Sequence, residues 1–291
     1  VNHDFEKDPI LPWIDGEWVR AKGTTLGADN GMGAAATLAV LEDKTLVHGP
    51  IEALFTIDEE TGMTGAFGLK AGELKGDILL NLDSETEGEL YVGCAGGIDA
   101  TISFDYKKET TPVEMSGFAL NITGLKGGHS GMDIILGRGN ANKIIFRLLK
   151  ALENLGMRIS EINGGSLRNA IPREAFSTIT IPTSNVAEAK KIVETLGNEI
   201  KNEISIVDPN FSISFEPTSR PANVMDLDTQ KKLVRAIYAC PNGIMRMSDS
   251  MEGLTETSTN LAIIKSNENT IEICCLLRSS VDSAKMDLAE M

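Results

Sequence analysis

The chain has 291 residues, 42% of them hydrophobic and 24% charged, enough for one large or two ordinary domains with normal cores. Its 42 acidic residues against 27 basic ones give a net charge of −15. That balance argues against nucleic acid and anionic membranes as partners, because both need a basic footprint. The four cysteines, Cys94, Cys240, Cys274 and Cys275, form neither a CxxC pair nor a dense disulfide framework. With no signal peptide and no apolar run of about 18 residues, the expected location is a reducing cytoplasm.

Residues 1–25 are polar and read as a surface segment ending in a short strand near Trp18–Arg20. Gly27-Ala28-Asp29-Asn30-Gly31 is a tight glycine turn, and the Ala-rich stretch 32–43 behind it reads as a helix capped by Asp29 or Asn30. An apolar run from Pro50 to Ile57 reads as a strand and ends in Asp58, Glu59 and Glu60, followed by Thr61 and Gly62. A short helix over Thr64–Lys70 follows. Ile78–Leu82 is a continuous apolar run, as in a fully buried strand, and ends at Asp83; Leu90–Gly93 reads as another strand. This alternation predicts a largely parallel α/β sheet.

The texture changes after Gly96-Gly97. Ile98–Tyr106 and Phe118–Leu125 alternate as half-buried strands, and then come Gly127-Gly128-His129-Ser130-Gly131 and a helix over Asn140–Leu155. Strands are expected at Ser177–Ile181 and Phe211–Phe215, helices at Val186–Ser205 and Leu227–Ala239, and a hairpin from Thr259–Ser266 and Thr270–Arg278. Antiparallel strands backed by helices describe an α+β domain. The expected division is therefore 1–97, α/β, and 98–291, α+β. Cys274 and Cys275, in a strand-like run, read as small core residues.

In alternating α/β sheets, ligands gather beyond the carboxyl ends of strands. Asp29, the Glu59-Glu60 pair and Asp83 bring three carboxylate-bearing turns to such positions, which suggests a metal site with one carboxylate to spare for proton transfer. Each has an ordinary reading too. An Asp in a glycine turn is usually a cap, and adjacent glutamates usually sit in a solvated loop. Asp83 is harder to dismiss, since a carboxylate ending a buried strand needs a partner or a metal. His129 lies among glycines that let the backbone approach something closely. GGHSG is not the nucleophile elbow, because His stands where that motif differs and the strand–turn–helix context is missing. Asn169 and Arg278 lie at strand ends, and arginine suits bidentate capture of a carboxylate.

Taken together, GADNGMG, DEETG, NLDSE, GCAGGID, GLKGGHSG, LRNAIPREAF and LLRSS, in this order, closely resemble the aminoacyl-histidine dipeptidases. These are relatives of carnosinase, carboxypeptidase G and aminoacylase. The resemblance implies part of a zinc-peptidase catalytic α/β domain followed by an α+β lid domain that contacts substrate and forms a homodimer. It implies two Zn²⁺ per site, with Mn²⁺ or Co²⁺ as substitutes. Asp29 would bridge the metals, Glu60 and Asp83 would each bind one, and Glu59 would be the general base. His129, Asn169 and Arg278 would contact a dipeptide such as carnosine, His129 at the carbonyl oxygen.

The family's HxD motif upstream of the Asp29 turn and its carboxyl-terminal histidine ligand have no counterpart here. His3 and His48 match neither. The expectation is an internal portion of a longer protein, whose absent pieces complete the catalytic sheet. Two rivals stand beside this reading: a related dipeptidase or N-acyl amino acid hydrolase, and a non-catalytic acidic metal-binding module in which oxygen ligands suit Mg²⁺ or Ca²⁺ better.

Overall fold

The computed structural model describes residues 3–60, 62–84 and 86–291; Thr61 and Glu85, members of the acidic motifs, lie outside them. The chain divides into two units, Val1–Val92 and Gly93–Met291.

The first unit opens with a hairpin of β1 (Pro12–Asp15) and β2 (Trp18–Ala21), paired antiparallel with Asp15 opposite Trp18. Arg20 reaches back across it to Asp15 at 2.8 Å. Helix α1 spans Ala28–Glu42, but Asp29 and Asn30 have non-helical backbone angles, so its regular part starts at Gly31. Asn30 is the working cap: its Oδ1 accepts the Gly33 N–H at 2.9 Å. Helix α2 (Thr64–Gly68) follows the acidic turn.

The strands expected at Pro50–Ile57, Ile78–Leu82 and Leu90–Gly93 do not form among the described residues. Ile78, Leu79 and Leu80 are 83%, 78% and 79% exposed, so the run that reads as fully buried has nothing packed on either face. The physical reason is that a parallel strand exists only as a ladder with neighbours brought in by crossovers, and no described segment supplies one. The only buried residue of α1 is Gly33. Apolar composition alone has therefore not made a core here.

The second unit is different in kind. In chain order it holds β3 (Gly96–Asp105), β4 (Lys108–Thr110), β5 (Met115–Thr123), β6 (Gly128–His129), α3 (Ala141–Leu152), β7 (Arg158–Gly164), β8 (Ala170–Ile171), β9 (Ala175–Pro182), α4 (Val186–Ile204), β10 (Ser212–Thr218), β11 (Asn223–Met225), α5 (Leu227–Ala239), β12 (Gly243–Met247), β13 (Thr255–Ser266), β14 (Thr270–Ser279) and α6 (Asp282–Glu290). Eight of the strands form one antiparallel sheet in the order β10-β5-β9-β7-β13-β14-β3, with β12 also paired to β13. The large antiparallel sheet with helices packed on it is the α+β organisation expected from the alternating strands.

Helix α3 organises this core. Ala141, Ile145, Leu148, Leu149 and Leu152 recur at helical spacing and are fully buried, facing Leu120 and Ile122 of β5 and Ile179 of β9 within one cluster. Asn140 caps the helix by accepting the Lys143 N–H at 3.1 Å. Helices α4 and α5 pack beside α3. Lys143 donates to the carbonyls of Ile237, Tyr238 and Cys240 at 2.7–2.9 Å, closing the carboxyl end of α5. Cys274 and Cys275 are buried in β14, as small core residues should be.

Strand β13 changes character along its length. Glu256 to Asn260 are buried yet polar, while Leu261, Ala262 and Ile264 are buried and apolar. Within the polar half, the Thr257 and Ser279 hydroxyls meet at 2.9 Å across to β14.

Candidate functional site

The acids of the first unit are set by local turns. Asp58 adopts a left-handed backbone, φ 66°, which costs a non-glycine residue free energy. Its surroundings hold it there: its carbonyl accepts the N–H groups of Gly62 and Met63, and its Oδ2 accepts the Thr64 hydroxyl at 2.8 Å. Gly65 lies against the chain just upstream. A β-carbon there would fall 2.6 Å from the Ile57 nitrogen, so only glycine lets α2 sit this close to the turn. Glu59 and Glu60 follow the reversal at once.

Asp29, Glu59, Glu60 and Asp83 are all exposed. The Glu59 carboxyl titrates above the usual carboxylate range, through partial desolvation and then the like charges of Glu60, Asp83 and Asp29. Glu60, Asp83 and Asp29 thus each lie within electrostatic reach of Glu59. The ion pairs of this unit are Lys7–Asp4 and Arg20–Asp15; among the described residues none of the four acids has a cationic partner. Uncompensated carboxylates with oxygen donors only are the donor chemistry a divalent cation satisfies. They are not closed into a ligand shell: among the described residues no group of three or more His, Cys, Asp or Glu side chains is arranged to hold a metal. His48 does not add to them; its Nδ1 lies 2.7 Å from the Gly49 carbonyl.

The second unit assembles a separate polar group. Gly128 has φ +141°, and a β-carbon on it would lie 2.4 Å from Arg138 Nη1 and 2.5 Å from Asp133 Oδ2. Only glycine allows the loop to fold over that ion pair. Asp133 in turn accepts the His129 N–H at 2.8 Å. The His129 ring accepts at Nδ1 from the Gly131 and Met132 N–H groups, at 3.3 and 3.2 Å. A ring that accepts at Nδ1 carries its proton on Nε2, so His129 is arranged as a donor.

Strands β6 and β8 pair, with His129 opposite Ala170, and the Ser130 N–H donates to the Asn169 carbonyl at 2.7 Å. The Asn169 side chain is exposed. Arg278, on β14, reaches the same loop: a β-carbon on Gly131 would lie 3.1 Å from His129 Cε1 and 3.4 Å from Arg278 Cζ. Imidazole and guanidinium therefore flank one glycine. Burial lowers the Arg278 pKa against the opposing charge of Asp99, and its buried Nε has no hydrogen-bond partner among the described residues. Asp99 is instead paired with Arg168 at 2.6 Å. Arg278 is thus a half-buried cation able to take an anion.

Sequence reasoning placed His129, Asn169 and Arg278 on three separate motifs, and the fold brings them onto one loop cluster. It missed Asp133 and Arg138, which brace the loop. An acid four residues after His129 was the available signal. It also missed Asn260, whose amide binds the segment carrying Asn169; an asparagine inside a strand gives no comparable signal.

Residues 120–207 match the family described as the peptidase dimerisation domain. The chain is 48% identical over 284 residues to the cytosol non-specific dipeptidase of Escherichia coli (strain K12), covering 97% of this chain and 59% of that protein. It is similar along 100% of its length to the crystal structure of aminoacylhistidine dipeptidase from Vibrio alginolyticus, at 51% identity and a TM-score of 0.79, covering 61% of that chain. A shorter match, 35% over 80 residues, is to the uncharacterized protein YqjE of Bacillus subtilis (strain 168), covering 26% of this chain and 22% of that protein. The resemblance carried by the motifs thus holds across nearly the whole chain, which spans about three-fifths of the length of the dipeptidases it matches.

Proposed function

We propose that the protein carrying this chain is a metal-dependent dipeptidase that hydrolyses small peptides, Xaa-His dipeptides such as carnosine foremost. The observation that carries this reading is that Asp29, Glu60 and Asp83, each exposed and each without a cationic partner among the described residues, all act electrostatically on Glu59. The names of the two long matches support it. Residues 1–97 are part of the catalytic domain and 98–291 form the lid. Asp29, Glu60 and Asp83 would hold metal, Asp29 as the bridge between two Zn²⁺, for which Mn²⁺ or Co²⁺ could substitute. The remaining ligands and sheet strands come from the rest of the protein.

A bound metal supplies an acidified water and a polarised peptide carbonyl. Glu59 takes the water's proton and returns it to the leaving amine. Its raised carboxyl pKa suits a group that must accept a proton and give it back. His129, with its proton on Nε2, donates to the oxyanion. Asn169 contacts the same substrate, and the half-buried Arg278 takes its carboxylate. The match of residues 120–207 supports a homodimer. A cytoplasmic setting accords with the cytosolic relative, and among the described residues no helix is long and apolar enough to cross a membrane.

The test is hydrolysis of a panel of Xaa-His dipeptides, other dipeptides and N-acyl amino acids by the full-length metal-loaded protein. Glu59→Gln should lower kcat by about 10²–10⁴ while metal content stays unchanged. Turnover of acyl amino acids alone would replace the dipeptidase reading with the hydrolase one. Broad dipeptide turnover, in keeping with the non-specific relative, would widen the substrate class. A Glu59→Gln protein that loses metal but keeps its residual rate per bound metal would take the general base away from Glu59.

A further inference from the structure

We propose that Asn260 is a positioning residue for the substrate-contacting loop cluster, an inference that rests on the dipeptidase reading. Asn260 lies on β13, 1% exposed, at the end of that strand's polar half. Its Nδ2 donates to the carbonyls of Arg168, at 3.3 Å, and Ala170, at 2.8 Å. These two carbonyls bracket Asn169. Ala170 is also the pairing partner of His129, and the Asn169 carbonyl accepts the Ser130 N–H. One buried amide is therefore tied to the short segment that carries Asn169, and that segment holds the strand of His129 through the Ser130 N–H bond and the β6–β8 pairing.

The other side of Asn260 is anchored in the core. Asn140 Nδ2 lies 3.4 Å from Asn260 Oδ1, 2.9 Å from Asn242 Oδ1 and 3.1 Å from the Leu261 carbonyl. Asn242 Oδ1 also accepts the Leu261 N–H. Asn140 is at once the cap of α3, so the chain of amides runs from the most buried helix to the loop. Burying these amides stabilises nothing by itself, since each exchanges water partners for protein ones at small net gain. Apolar side chains of similar volume would pack the same space. What the network supplies is a fixed distance between a rigid strand and the loop that carries the half-buried His129 and the exposed Asn169.

The test uses full-length, metal-loaded protein with Asn260→Ala, which deletes both donors, and Asn260→Asp, which keeps the shape but puts acceptors against carbonyls. Val193→Ala in α4, equally in the core but remote from the loop in sequence and element, shows what destabilisation alone does. The readouts are kcat, KM and affinity for a phosphinic dipeptide analogue whose tetrahedral centre imitates the transition state. Both Asn260 variants should lose about 10–100-fold in kcat, the scale of a 1 Å misplacement, with KM changed less than about threefold. Phosphinate affinity should fall by the same factor as kcat/KM, and Val193→Ala should keep its kcat per folded molecule. Wild-type kcat in a folded Asn260 variant overturns the proposal, as does equal loss of substrate and phosphinate affinity. Failure of both variants to fold also overturns it, since Asn260 would then hold the sheet and not the loop. A wild-type protein with no dipeptidase activity removes the underlying reading instead, which keeps the two failures apart.

Discussion

Residues 78–82 and residues 141–152 have similar apolar content, yet the first stretch is exposed and the second is the centre of a core. The sequence ILLNL in the first unit has its leucines and isoleucine in water; in α3 the corresponding side chains are fully buried. The difference lies in where each finds its neighbours. Every strand of the second unit's sheet pairs antiparallel with another strand of that unit, and α3, α4 and α5 cover it. A parallel α/β sheet has no such local closure. Its strands meet only through crossovers that bring in distant chain. An apolar run therefore reports the environment a segment needs, not the one a given stretch of chain supplies.

Paired leucine truncations test this contrast most sharply. Leu149→Ala should cost about 2–5 kcal/mol in urea unfolding of the 291-residue chain, as buried leucines do. Leu80→Ala in the same chain should change it by less than about 0.5 kcal/mol. Repeated in the full-length protein, Leu80→Ala should rise into the range of Leu149→Ala, because the run is then covered. A Leu80 that costs nothing in either setting would break the comparison.

The second unit is also where the residues proposed to contact substrate, His129, Asn169 and Arg278, are grouped, so its proposed share of the chemistry can be measured separately. His129→Ala in the full-length protein should retain fold and metal and lose roughly 10²–10³ in kcat, with a smaller change in KM because the oxyanion exists only during reaction. An unchanged kcat in a folded, metal-loaded variant would leave all the chemistry to the first unit.

The smallest effect comes from a cap within the second unit. Burial works to raise the Asp226 carboxyl, but the N–H groups of Thr229 and Lys107, at 2.9 and 2.8 Å, outweigh it and hold its pKa below the usual carboxylate range. A folded pKa lower than the unfolded one means stability that is present above the unfolded pKa and lost as pH falls through the folded one. Asp226→Ala should thus cost about 1 kcal/mol at pH 7. The gap should narrow below about pH 4, where the unfolded carboxyl is protonated. Melting curves at the two pH values decide it; a gap of constant size would assign the pH dependence elsewhere.

The legibility of the chain follows the same division. Helix α5 was readable to its exact ends and α4 to one residue, because their apolar spacing and caps are local properties. β5, β9 and β14 were readable because alternation survives wherever one face is buried. Strand β7 was not: RISEING follows a helix after a single glycine turn, and its place between β9 and β13 depends on pairing that no local pattern announces. In the acidic region the turns were legible, since Asn30 and Gly65 have local reasons to be where they are, whereas the strands expected to lead into them have none within the described chain. Of the loop cluster, the sequence motifs marked His129, Asn169 and Arg278. Asp133 and Arg138 left only the faint local signal of an acid four residues after His129, and Asn260 left none, because its partners are backbone carbonyls far along the chain.

The change of character along β13 has a consequence for how such a protein can diverge. Its apolar residues Leu261, Ala262 and Ile264 are committed to the core and accept only replacements of matching volume. Among its polar residues, Thr257 shares the Ser279 hydroxyl with the Val281 N–H, and an apolar residue at 257 would take one of that hydroxyl's two partners away. Descendants of this chain should therefore vary in the polar half by exchanging partners two at a time, position 257 with 279, leaving the apolar half to drift one residue at a time. A single strand would then carry two different molecular clocks.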